Sequence, residues 1–530
     1  MADNNSSKLG LIRKALYIWV FQYHFVIPKE ILKGYIHKFR HESQNISQYG
    51  QRYYDPSDPK QYQKWLTFQK EDMLADHCQN VTFLGKNLDE SLYHEHPVVT
   101  DIKDVKTEYV CMTSNHVRPY DLLFSCLNNI NGDVIYFDHD HFIDEERKNP
   151  VLKPDFSYDT LRGFNYIGDL FIVRTDLIKN LTDLDPWNIL LYLSDQKLKW
   201  NHIEKICYGV NQDSVFDEST IQNYLKDKNI RASLKETEDH NACYVSYALK
   251  EKPLISIIIP TKDGLSDLKR CMNSICNKST YDNYEVIIAD NNSEKQETFA
   301  YFERIQKEHE NVHVIKVDSP FNFSYINNYA VKHSHGEYLI LLNNDTEVIT
   351  PDWMEKMLSY AQLDHVGSVG VKLYYADGTI QHGGVISGKG GGFAHRYYRK
   401  PHDEKGYMHT LEIPNDVFCC TAACLMIPRK KYEELGGLNE ELAVQFNDAE
   451  FGLKLLEHGY FNVFLPDVEL YHYESKSRGV DKAKDAVERY VSEVDYAQEH
   501  YGKYIEHDPF YNDHFDKNYD YMLKVGTGSN

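Results

Sequence analysis

Residues 338 to 352 read YLILLNNDTEVITPD, and this stretch restricts the possible folds more than any other. Its first five residues, Tyr338 to Leu342, are apolar and long enough to cross a buried sheet. They run without a break into Asn343, Asn344, Asp345, Thr346 and Glu347. A buried parallel strand ending in amides and carboxylates delivers them to its carboxyl edge, where open α/β sheets bind ligands. Pro351 and the apolar spacing of Trp353, Met354, Met357 and Leu358 then predict a helix. The alternative is an acidic turn that only caps that helix.

The surrounding chain favours the ligand edge. Leu254 to Ile259, Tyr284 to Ala289 and Val312 to Val317 read as further buried strands, alternating with helical patterns over residues 265–275 and 294–309. Strand and helix alternating at this spacing predict a parallel sheet with helices on both faces. Three of these strands end in Asp, at Asp263, Asp290 and Asp345, all at one edge. Neither GxGxxG nor GxxxxGK[ST] occurs after the first strand, which disfavours a dinucleotide fold and a P-loop. What remains is a nucleotide site built from carboxylates and a metal.

The length of 530 residues calls for at least two domains. A net charge of −22 leaves no basic excess for nucleic acid. Ten Cys without CxxC pairs, and no secretory signal, point to reduced thiols in the cytoplasm. No apolar run reaches membrane-spanning length. Residues 1–40 nevertheless carry a local +5 around Ala15 to Phe21, either a peripheral contact with an anionic membrane or a helix docked on the protein. Residues 41–100 are weakly patterned, with Trp65 and Phe68 as anchors. From Glu108 an α/β rhythm returns: strands at Tyr109 to Met112, at Asp133 to Phe137 ending in Asp138 and Asp140, and at Leu170 to Val173.

The second half also carries IIIPTKDG (257–264), VIIADNNS (286–293), FNFSYINNYA (321–330), GTIQHGGVISGKGG (378–391), LNEELAVQFNDAEFGLKLLEHGY (438–460) and LYHYESKSRG (470–479). In order and without large gaps, these resemble the family 2 glycosyltransferases of GT-A fold, in the subgroup of O-antigen, rhamnan and capsule synthesis. The resemblance covers about residues 252–515. It implies a nucleoside diphosphate sugar donor and a Mn²⁺ or Mg²⁺ ion held by Asp345 and His472. Asn343 stands where the metal motif often begins with Asp. It further implies Asp448 as the general base of an inverting transfer, and Pro260, Thr261, Asp263, Asp290, Asn292, Asn327, Asn343 and Asn344 as nucleotide-sugar contacts. Trp353, His382, Gly383 and Glu450 are expected at the acceptor, a glycan or lipid-linked glycan. Trp353 faces either acceptor or core. The glycine-dense stretch between His382 and His395 reads as a mobile loop over the acceptor, or as a tight turn.

Residues 107–215 resemble a second, eroded copy of the same domain. Thr113 to His116 stand in place of the metal-binding cluster, and Asp183 to Trp187 in place of the base. The first, nucleotide-binding strands are not recognisable. The resulting expectation is a GT-A-type α/β catalytic domain over 251–480 and a degenerate, non-catalytic GT-A-like domain over 101–250. Residues 1–100 form a basic, aromatic segment and linker, and 481–530 a C-terminal helix and tail that packs on the catalytic domain. The eroded half would serve as scaffold, acceptor-binding or homodimer surface. A glycan-binding pseudoenzyme or assembly scaffold is the competing function.

Overall fold

A computed structural model describes residues 53–67, 81–211, 216–389, 392–474 and 483–524, with side chains from 492 onward in the last stretch. The 1–40 segment, Phe68 and the terminal residues 526–530 lie outside the described residues. Among the described residues, no helix is long and apolar enough to cross a membrane. The described cysteines are free thiols.

The first half holds an eight-stranded sheet. Its strands are β1 (Val81–Leu84), β2 (Val98–Val99), β3 (Tyr109–Met112), β4 (Val117–Pro119), β5 (Val134–Ile143), β6 (Glu146–Val151), β7 (Phe171–Arg174) and β8 (Trp200–Val210). Helix α1 (Pro186–Ser194) lies between β7 and β8.

The second half holds a ten-stranded sheet. Its strands are β9 (Ile255–Thr261), β10 (Tyr284–Asp290), β11 (Val312–Lys316), β12 (Tyr338–Leu342), β13 (Thr346–Val348), β14 (Val366–Tyr374), β15 (Ile380–His382), β16 (Asn415–Val417), β17 (Cys424–Pro428) and β18 (Phe461–His472). The helices are α2 (Leu265–Lys278), α3 (Gln296–Glu308), α4 (Phe323–Val331), α5 (Trp353–Ala361), α6 (Asn447–Glu457) and the C-terminal α7 (Ala483–Glu506).

The two sheets have the same plan. In the second, the order runs β11-β10-β9-β12-β17-β14-β18-β13; in the first, β2-β1-β3-β7-β5-β8-β4. β9 is parallel to β12, β12 antiparallel to β17, β14 parallel to β18, and β13 returns antiparallel against β18. β1 is parallel to β3, β3 antiparallel to β7, β5 parallel to β8, and β4 returns antiparallel against β8. Even a backbone bond recurs: Tyr473 N donates to Asp345 O at 3.0 Å, and Asn211 N to His116 O at 3.0 Å.

The structure departs from the sequence reading in two places here. β1 and β2 supply leading strands that the sequence hid, so this sheet begins before residue 101. Strand β5 does not end at Asp138; both Asp138 and Asp140 are buried within it. Asp138 pairs with His202 at 3.0 Å, and Asp140 accepts from Tyr62, Tyr120 and Arg147.

Alternating strand residues enter separate cores, which is why β9 and β12 are apolar throughout. Ile255, Ile257, Ile259, Ile340 and Leu342 join one core, while Ile258, Leu339 and Leu341 join the other. The first of these extends into the first half through Leu161 and Tyr247. The C-terminal tail docks on both halves, not on the second half alone. Asp508 Oδ2 accepts the Ser387 N–H at 2.8 Å, while Asn512 Nδ2 reaches Asp138 Oδ2 at 3.0 Å.

Candidate functional site

The carboxyl ends of β9, β10 and β12 form one edge, as the three terminal Asp residues required. β12 stops where Asn343, Asn344 and Asp345 turn the chain into β13, and that turn pairs Thr346 with His472 at the end of β18. His472 Nε2 lies 3.3 Å from Asp345 Oδ1 and 3.2 Å from Asn343 Nδ2. Its other nitrogen, Nδ1, lies 2.6 Å from Gln381 Oε1. An amide oxygen only accepts, so Gln381 places a ring proton on Nδ1 and leaves Nε2 as the nitrogen that faces Asp345. The separation of the two donor atoms is that of neighbouring ligands around one cation with bonds of about 2.2 Å. One carboxylate and one imidazole, oriented by a third group, fit Mn²⁺ or Mg²⁺. Gln381 was not singled out by sequence, although it adjoins His382 in the same motif.

Asp448 sits in the first turn of α6, behind Phe446 at φ +61°. Its Oδ2 accepts the Ala422 N–H at 3.2 Å and its Oδ1 the Ala449 N–H at 2.9 Å. Burial pushes the carboxyl up, against the pull of those N–H groups and the Thr421 hydroxyl. A raised, half-buried carboxylate is a stronger proton acceptor than an exposed one. The next residue, Ala423, accepts the Asn343 N–H through its carbonyl at 3.0 Å. One short turn therefore fixes Asp448 relative to the Asn343–Asp345 edge.

The nucleotide-side residues divide. Asn344 Nδ2 donates to Thr261 Oγ1 at 2.9 Å, tying β12 to β9 beside half-buried Pro260. Asp290 is 5% exposed and accepts the Ser293 N–H, while Asn292 Nδ2 donates to Ser319 O. Asn291, which the sequence reading passed over, donates to Val317 O and Ser319 O and pins the same loop. Asp263 sits at the edge, but its oxygens accept the Glu294 and Lys295 N–H groups and the Thr298 hydroxyl. These outweigh burial and hold it below the usual carboxylate range. Asn327 is completely buried and donates to Phe323 O within its own helix, so it is not brought to the edge.

The four expected acceptor residues are not brought to an open surface. Trp353 is completely buried and bonds Ser279 Oγ at 2.9 Å, so the core claims it. Glu450, 3% exposed, meets Lys454 at 2.9 Å and Tyr501 of α7 at 3.3 Å. His382 is buried below the Asp448 turn, with its Nδ1 at 2.7 Å from His395 Nδ1 and its Nε2 accepting from Thr421 N. That pattern puts the His382 proton on Nδ1, donating to His395, and burial holds both rings neutral. At Gly383 a side chain would meet the Tyr397 ring at 3.0 Å and Leu411 at 3.1 Å. The stretch between the two histidines is a hairpin, Val385–Ser387 against Phe393–His395, with residues 390 and 391 outside the described residues.

At the matching edge of the first half the chemistry differs. By strand register, His116 occupies the place of Asp345 and Val210 that of His472. Trp187, at the Asp448 position of α1, is buried and bonds Leu161 O at 2.9 Å. Asp185 caps that helix through the Asn188 N–H.

The strand plan is that of the GT-A α/β fold expected from the sequence. Residues 256–436 match the family model "Glycosyl transferase family 2", and the chain carries a domain of that family. It is 35% identical over 410 residues to the uncharacterized protein y4gI of Sinorhizobium fredii, across 72% of this chain and 45% of that one. It is 31% identical over 380 residues to the O-antigen biosynthesis protein RfbC of Myxococcus xanthus, across 67% of this chain and 29% of that one. The chain thus spans less than half the length of these curated relatives. Among solved structures, a mannosyltransferase from Pyrobaculum calidifontis, in complex with GDP-Man and Mn²⁺, aligns at 18% identity and TM-score 0.33, over 43% of this chain and 59% of that one.

Proposed function

We propose that this chain is a metal-dependent, inverting glycosyltransferase. It moves a sugar from a nucleoside diphosphate sugar, dTDP-rhamnose or a UDP-hexose, onto a growing bacterial cell-surface glycan. The observation that carries the reading is the Thr421–Ala423 turn, which holds Asp448 through one backbone group and Asn343 through the next. A bound Mg²⁺ or Mn²⁺, held by Asp345 and His472, would stabilise the negative charge of the departing diphosphate. Asn344, Thr261 and Asp290 shape the edge that takes the nucleotide. Asp448 accepts the acceptor hydroxyl proton as that oxygen bonds to the anomeric carbon and the carbon–diphosphate bond breaks. Attack from the opposite face inverts the anomeric centre. The first half, with His116, Val210 and Trp187 in place of the three chemical groups, serves as a scaffold. The likeness to an O-antigen biosynthesis protein supports the glycan product.

The test is release of nucleoside diphosphate from a panel of UDP-, dTDP- and GDP-sugars with an acceptor extract. Turnover of one donor, abolished by EDTA and in Asp448→Asn, is expected. Absence of any nucleotide binding would leave only a glycan-binding or scaffolding role.

A further inference from the structure

Outside the catalytic edge, the described residues contain one group of three metal-ligating side chains, Glu204, His507 and Asp513, whose donor atoms all lie within 4.8 Å of one another. Glu204 comes from the irregular middle of β8, His507 follows α7 directly, and Asp513 lies further along the tail. Glu204 and His507 face a cavity of about 530 Å³ that Asp155, Trp200 and His202 also line.

The donor geometry is specific. His507 Nε2 is 3.0 Å from Asp155 Oδ2, and His507 Nδ1 is 2.8 Å from Asp513 Oδ2. The Asp513 N–H donates to Glu204 Oε1 at 2.9 Å, which brings the two carboxylates together. Carboxylates accept, so both ring nitrogens donate here, Nε2 to Asp155 and Nδ1 to Asp513. An ion taking the place of the Nδ1 proton would find the ring already oriented by Asp155. Two buried atoms beside the cluster lack a hydrogen bond: His202 Nδ1, and Asp513 Oδ1, which has Lys517 Nζ at 3.8 Å. The His202 side chain is completely buried, and its Nδ1 has only Asp155 Oδ1, at 3.3 Å, as an ionic neighbour.

We propose that Glu204, His507 and Asp513 form a second, non-catalytic metal site that takes Zn²⁺ or a divalent transition ion of similar borderline softness. Two carboxylates and an imidazole suit such an ion, with bonds of about 2.0–2.2 Å, better than they suit Ca²⁺, which takes six to eight oxygens. The ion would clamp residues 507–513 to the first half, and with them Asp508, which holds Ser387 of the hairpin beside the catalytic edge.

The test uses the full-length Asp345→Asn variant, so that the catalytic edge does not report. Titration with Co²⁺ is expected to produce visible d–d absorption saturating at a single equivalent, and Zn²⁺ to raise Tm by about 2–4 °C. Both effects are expected to vanish when either His507→Gln or Asp513→Asn is added, with circular dichroism showing each variant folded. Absence of Co²⁺ uptake by Asp345→Asn, or equal uptake with His507→Gln added, would overturn the proposal and leave a proton-held staple. Metal binding is read without turnover, so this outcome is separate from that of the glycosyltransfer assay.

Discussion

At the scale of single residues, reactivity rests on how neighbours set proton positions. In its proposed role Asp448 must be ionised, and burial, which raises its carboxyl, is expected to place the acid limb of kcat/KM above the usual carboxylate range. Activity is expected to fall as the pH drops through that raised value. Thr421→Val removes a donor that favours the charged form, so the limb is expected to move further up in a pH–rate profile. Asp448→Asn is expected to lower kcat by about 10²–10⁴ with nucleotide affinity retained, as isothermal titration would show. Gln381→Leu releases His472 Nδ1 and is expected to weaken the apparent Mn²⁺ affinity by about 10–100-fold, read from the metal dependence of turnover. Asp345, His472 and Asp448 were legible because they stand at fixed places in motifs. Gln381 was not, because its role is a single bond to a residue on another strand, visible only when β15 and β18 lie together.

At the scale of elements, the strands of the catalytic half were readable from apolar runs that stop at polar residues. The direction of side chains at helix starts was less so. Asp263 reads as an open ligand-edge carboxylate, yet it closes the start of α3, whose own N-cap Lys295 provides no side-chain acceptor. Close approach of elements was hidden as well. A Cβ at Gly370 of β14 would lie 2.1 Å from the Cys420 Cβ, directly before the turn that holds Asp448. Gly370→Ala is expected to cost about 1–3 kcal/mol in urea unfolding and to reduce turnover, because the shift is transmitted to Thr421 and Ala422. Unchanged kcat in a destabilised Gly370→Ala protein would uncouple that turn from the base.

At the scale of the molecule, the two halves meet through buried acid chemistry. Asp416 of β16 accepts from Ser157 Oγ and the Asp159 N–H, and Asp159 in turn pairs with His365 at 2.9 Å. Burial and the neighbouring Asp159 push the Asp416 carboxyl well above the usual carboxylate range, which favours its protonated form. His365 and Arg162 overcome burial to hold Asp159 ionised. Asp416→Asn is therefore expected to change stability by less than about 1 kcal/mol, since an amide keeps both accepted bonds. Asp159→Asn removes a buried charged partner of His365 and is expected to cost about 1.5–3 kcal/mol by chemical denaturation at pH 7. Equal losses in the two variants would mean that Asp416 is ionised.

By itself the sequence determined the sheet edge, its carboxylates and the family, because strand ends and motif spacing are local properties that survive without knowledge of neighbours. It also led to the expectation that the first half is an altered copy, whose strand plan the structure repeats. Tertiary structure decided the fate of Trp353, Glu450 and His382, whose burial depends on α2, α7 and the hairpin packed over them. It alone revealed that the leading strands of the copy persist, and that the tail ties both halves together. Long-range packing selects among orientations that a local pattern leaves equal in energy.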